Sequence, residues 1–119
     1  PGETWRGDRD VSTLLDLTGD MQELASTPTL PAGSYVIWAR ANIVGSAAAS
    51  TLICSVASDA AQNITVPSNA VFPLSMSSTD VLEAPGQINL ACNRSAGSPQ
   101  VAQAHVIAMR VPKVTAPAE

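Results

Sequence analysis

Alternation dominates the middle of this chain. Tyr35, Ile37, Ala39, Ala41 and Ile43 share one parity, and Val36, Trp38, Arg40, Asn42 and Val44 the other. Successive side chains of a strand point to opposite faces, so this segment reads as a long strand, with Arg40 and Asn42 marking its wetter face. Pro31-Ala32-Gly33 before it is a turn, and "GSAAAS" after it turns the chain again. "STLICSVAS" sets Leu52, Cys54 and Val56 on one face. "QINLACNRS" does the same with Ile88, Leu90 and Cys92, and "QVAQAHVIAMRV" is a final long strand. "QNITV" is a short strand ended by Pro67. "AVFPLSMS" is another, which Pro73 should confine to a sheet edge or a bulge. The earlier stretch "VSTLLDLTGDMQELAS" carries Leu14, Leu17, Met21 and Leu24 at helical spacing, but no capping box opens it and Gly19-Asp20 breaks it. It reads as two short strands.

About eight short strands, with turn signals between them and no convincing helix, predict an all-β protein, a two-sheet sandwich or barrel. The boundaries follow the pattern. Residues 1–10 lack a hydrophobic period and read as an N-terminal linker or stalk junction, 11–112 as the folded domain, and 113–119 as a polar C-terminal tail. With 119 residues the chain is one domain and can bury a core unaided.

Composition narrows the function classes. Charged residues make up only 13% and the net charge is -4, with six Lys and Arg and no basic stripe. A nucleic-acid backbone is therefore not the expected partner. No apolar run is long enough for a spanning helix, so membrane insertion is not expected. The chain opens on Pro1-Gly2 without a signal peptide or initiating Met, and reads as a fragment or a processed piece, with room for an export signal upstream. Trp5, Tyr35, Trp38 and Phe72 are the only aromatics, and the apolar mass is Ala, Val, Leu and Ile.

Cys54 and Cys92 sit in mid-strand with apolar neighbours two residues away on the same face. A disulfide is favoured over two buried free thiols, because an all-β, charge-poor, export-like chain is where such bonds persist. An immunoglobulin domain is disfavoured, since its core Trp lies between the two cysteines and Trp38 here precedes both.

The run "LPAGSYVIWARANI", followed by "TLICSVAS", "INLACNRS" and "HVIAMRV", resembles the C1q/TNF-like jelly-roll heads of bacterial (actinobacterial) collagen-like or phage fibre proteins, over roughly Leu30 to Val111. The resemblance implies a jelly-roll sandwich, a homotrimer, paired cysteines like those here, and an extracellular place on a cell or virion surface. It brings no catalytic residue. A trimer would also suit the two long strands, which are apolar on both faces and so have two faces to cover. Val36 and Trp38 on the first, with Val106 and Ala108 on the last, are the candidate interface residues. The two strands are expected to be neighbours in the sheet nearest the threefold axis.

Chemistry for catalysis is thin. The single His105 lies on a row with Gln103 and Ile107 and reads as structural. The chain has no nucleophile elbow, phosphate-binding loop or zinc-protease motif. No cofactor or metal is expected, and Asp8, Asp10, Asp16 and Asp20 lack Ca²⁺-loop spacing. Asn63-Ile64-Thr65 and Asn93-Arg94-Ser95 fit the glycosylation sequon. Arg6-Gly7-Asp8 is the tripeptide by which many extracellular proteins hold integrins and is the candidate receptor motif; the favoured reading is a dispensable polar connection with Trp5 tucked against the base of the domain. The expected function is a non-enzymatic trimeric head that attaches to a surface or receptor. The alternative is a lectin-like, carbohydrate-binding module of the same fold, relying on polar loops because aromatics for sugar stacking are few.

Overall fold

The alternating segment around Trp38 forms strand β4, Gly33–Val44, with Tyr35, Ile37, Ala39, Ala41 and Ile43 buried and Trp38 and Arg40 exposed. It is the centre of one sheet in a computed structural model that describes residues 3–9, 14–57 and 61–112. The N-terminal dipeptide, Asp10, Val11 and the C-terminal tail expected over 113–119 lie outside the described residues. Around β4 stand β1 (Thr4–Arg9), β2 (Leu15–Asp16), β3 (Gln22–Ser26), β5 (Ser50–Val56), β6 (Gln62–Val66), β7 (Val71–Leu82), β8 (Asn89–Ala96) and β9 (Gln100–Val111).

The nine strands form two antiparallel sheets. One runs β1-β9-β4-β7, with β2 also paired to β9; the other runs β3-β8-β5-β6. From β3 onward the chain passes repeatedly between the two, which is jelly-roll connectivity. The expected all-β sandwich stands. No helix occurs among the described residues, and none is long and apolar enough to cross a membrane.

The core lies between the sheets. Tyr35, Ile37, Ile43, Val101 and Val106 come from the first sheet, and Leu24, Leu52, Val56, Val66 and Leu90 from the second, each at most 1% exposed. Ala41 pairs with Ala104, and Ile37 with Ala108, so small side chains line the middle of the first sheet and let the second approach closely. Cys54 and Cys92 are directly opposed on β5 and β8 and form the expected disulfide, buried in this core. Their Cα atoms are 4.1 Å apart, matching the narrow, non-hydrogen-bonded kind of antiparallel pair. The bond therefore staples neighbours within one sheet. β7 lies at the edge of its sheet, where Pro73 removes no inner ladder bond.

Two expectations need correction. Residues 4–9 are not a linker: they pair in continuous register with β9, from Thr4 opposite Met109 to Arg9 opposite Ala104. Trp5 packs against the core, its ring edge-on to Tyr35 at 5.9 Å. Gly7 is buried where β1 crosses the backbone of β3. A Cβ built there would lie 1.8 Å from the carbonyl oxygen of Ser26, so only glycine fits. Since Gly7 faces inward without a side chain, the segment shows no apolar alternation although it is a strand.

The second correction concerns β9. Val106 and Ala108 are fully buried in the chain's own core and cannot form an interface. Opposed residues of an antiparallel pair share a face, and the register sets Trp38 opposite Ile107 and Val36 opposite Met109. Val36 and Trp38 do point away from the core, so their apolar companions are Ile107 and Met109. A register shift between Asn42 and Ile43 then brings Val101 back to the core side. This bulge breaks the period-two pattern within β9.

Candidate functional site

The outer face of the β1-β9-β4-β7 sheet carries two kinds of surface. Towards one end lie Val36, Trp38, Ile107 and Met109, with Val81 beyond them on β7; Trp38 is 43% exposed and Val81 53%. The next row along is charged. Asp8 stands opposite His105, and His105 opposite Arg40.

Three strands position this charged row. On β1, Arg6 and Asp8 are two residues apart and so share the outer face. Arg6 Nε donates to Asp8 Oδ1 at 2.6 Å. The Nδ1 atom of His105 lies 2.6 Å from the same carboxylate oxygen, the geometry in which Nδ1–H donates to Asp8. Arg6 Nη2 is 3.2 Å from that ring nitrogen. The hydrogen bond from Arg6, then that from His105, holds the Asp8 carboxyl below its ordinary value of 3.8. Arg40, from β4, has no ion-pair or hydrogen-bond partner among the described residues.

Beside this row is an open depression of about 510 Å³, lined by Arg6, Arg40, Asn42, Pro73, Ser75, Gln103, His105 and Ile107 among others. It adjoins the β9 bulge. There Asn42 Nδ2 donates to Gln103 Oε1 at 3.4 Å, a long and weak bond that leaves both amides free to turn to a ligand. None of the four aromatic residues lines it. Arg40, rather than a hydroxyl, is the residue opposite His105 on β4.

The structure treats the sequence candidates unevenly. Arg6-Gly7-Asp8 is no bent, freely presented loop: Gly7 is packed under β3, and Arg6 and Asp8 are engaged with each other and with His105. His105, read as structural, is half-buried on the outer face. Asn93 of the second sequon donates through Nδ2 to the Gly19 carbonyl at 3.0 Å, so its amide serves the fold. Asn63 of the first is exposed on β6. Asp16 accepts from Gln100 Nε2 at 2.6 Å, and no group of three metal-ligating side chains occurs among the described residues. Sequence reasoning missed the depression. Its one local signal was the polar pair Arg40 and Asn42 on an otherwise apolar strand.

No protein-family model matches the chain, and no curated protein does. Among solved structures it is similar to Eiger TNF from S. frugiperda, with 11% identity over 100% of this chain and 98% of that chain, at a TM-score of 0.59. It is also similar, more weakly, to a carbohydrate binding module from Cellvibrio mixtus lichenase 5A in complex with cellotriose, with 17% identity over 76% and 71% of the two chains at a TM-score of 0.41. A further likeness is to the C-terminal CBM6 of LamC from Zobellia galactanivorans, with 10% identity over 87% and 98% at 0.42. These two are too distant to bear on function. The first establishes the fold: the domain is a TNF-like jelly roll.

Proposed function

We propose that this domain is a non-enzymatic head that assembles as a homotrimer through the outer face of the β1-β9-β4-β7 sheet. It serves a fibrous protein of a cell or virion surface, outside the cell, in trimerisation and in attachment to a receptor or glycan. The observation that carries this reading is the uncovered apolar row of Val36, Trp38, Ile107 and Met109 on two central strands whose other face is already spent on the core. A two-layer sandwich has no third layer to cover such a row, and a second and third copy of the chain would supply it. The resemblance of the strand pattern to trimeric C1q/TNF-like heads agrees with it. Light scattering on the purified domain is the test. The expected mass is three times the 12.2 kDa of one chain; a stable monomer at high micromolar concentration overturns the reading.

The carbohydrate-binding alternative is favoured by a different observation, the depression with its amides and Arg40. Assembly through the apolar rows leaves it at one end of the interface, so the two readings are compatible.

A further inference from the structure

We infer that the depression beside the β9 bulge is a binding site for an acidic sugar, whose carboxylate lies between Arg40, Arg6 and the edge of His105 and whose hydroxyls meet Asn42, Gln103 and Ser75. The inference rests on the carbohydrate-binding reading of this depression and adds the charge of the ligand.

Charge is the first argument. The chain carries a net charge of -4, so its overall field repels anions. Arg6 and Arg40 nevertheless line one depression, and the carboxylate beside them among the described residues, Asp8, is already bonded to Arg6 and His105. Arg40 has no partner of its own among the described residues. A guanidinium with its donor fork free matches a carboxylate in geometry as well as charge. Asp8 meanwhile orients the His105 ring through Nδ1, leaving Nε2 for a ligand. The lowered titration of Asp8 keeps its carboxyl ionised across the neutral and mildly acidic range.

Size and lining supply the second argument. A depression of about 510 Å³ falls within the roughly 300–1,000 Å³ typical of small-molecule sites and far exceeds a bare oxyanion. Asn42 and Gln103 each offer both a donor and an acceptor, as sugar hydroxyls require. No Trp, Tyr or Phe ring lines the wall, so a neutral sugar would lack a broad stacking platform. Recognition must come from hydrogen bonds and charge, which favours the acidic sugar over its neutral counterpart.

Calorimetric titration of the whole domain at constant ionic strength, with sodium glucuronate, glucose and sodium acetate as probes, tests this. Glucuronate should bind more tightly than either glucose or acetate. Arg40→Gln should weaken glucuronate binding roughly tenfold to a hundredfold, the range for losing a charge-assisted hydrogen bond, and leave the melting temperature unchanged. Asn42→Ala should weaken glucuronate while leaving acetate unaffected. Glucose binding as tightly as glucuronate overturns the inference but leaves the carbohydrate reading standing. Acetate matching glucuronate overturns the sugar part. If neither sugar binds at millimolar concentration, the inference and the carbohydrate reading fall together.

Discussion

At the scale of single residues, glycine and aspartate in the Arg6-Gly7-Asp8 triplet have separate physical roles. Gly7 is the point where the two sheets touch along their β1 and β3 edges. Gly7→Ala should lower stability by about 1–3 kcal/mol, as overpacking does, or peel β1 from β9. Urea denaturation measures the first outcome and hydrogen exchange across β1 the second; a variant as stable as the parent with β1 protected would refute the close contact. Asp8 predicts a pH dependence. Its folded-state titration is lowered by Arg6 and His105, so its contribution is present above the ordinary value of 3.8 and lost as pH falls through the lowered one. The stability difference between the parent and Asp8→Asn should be constant at neutral pH and close as pH drops below the ordinary carboxylate range. Denaturation curves from pH 7 to 2 would show it, and a gap that persisted at the acid end would contradict the ion pair. At the C-terminal end of β8, Gly97 adopts φ +76° and a Cβ there would press on Ser50. The left-handed backbone there favours glycine on its own account.

At the scale of elements, the disulfide joins β5 and β8, the two central strands of their sheet. It closes a loop with a sequence separation of 38, for which chain entropy gives roughly 4 kcal/mol. Reduction should therefore lower the denaturation midpoint clearly. Mass measured after alkylation of unfolded, unreduced protein should show no modified thiol; two modified thiols would disprove the bond. This pair was legible in the sequence because Leu52, Cys54 and Val56 on β5, and Leu90 and Cys92 on β8, alternate cleanly around the two cysteines. The long strand β4 was legible for the same reason. β1 was not, since of its inward positions one is a partly buried Trp5 and the next a glycine. The faces of β9 were legible only up to its bulge, where one added residue reverses the parity and makes Val106 look outward. The depression was least legible of all. Its charged row joins Asp8 to His105, 97 residues away, and only the pairing of β1 with β9 brings them together. Periodicity shows which face a residue takes; it does not show which strand lies beside it.

At the scale of the whole molecule, the two faces of one sheet give opposite expectations for the same kind of substitution. Val106 is enclosed between the sheets, and a carboxylate there would be buried without a partner at a cost of several kcal/mol. Val106→Glu should fail to fold, with loss of the β-sheet circular dichroism signal. Trp38 faces outward from the same sheet, opposite Ile107, with 43% of its surface open in the single chain. A glutamate there meets water in the monomer, so Trp38→Glu should fold with its disulfide and its melting behaviour near those of the parent monomer. In a trimer built on this face the same charge would enter the apolar contact three times. Central aromatic residues of an interface commonly contribute about 2 kcal/mol or more, which corresponds to at least roughly a thirtyfold rise in the dissociation constant. Sedimentation equilibrium over a range of concentrations separates the effects. A folded monomeric Trp38→Glu beside a trimeric parent is the expected result. If Trp38→Glu instead assembles as tightly as the parent, the outer face of this sheet is not where the copies meet.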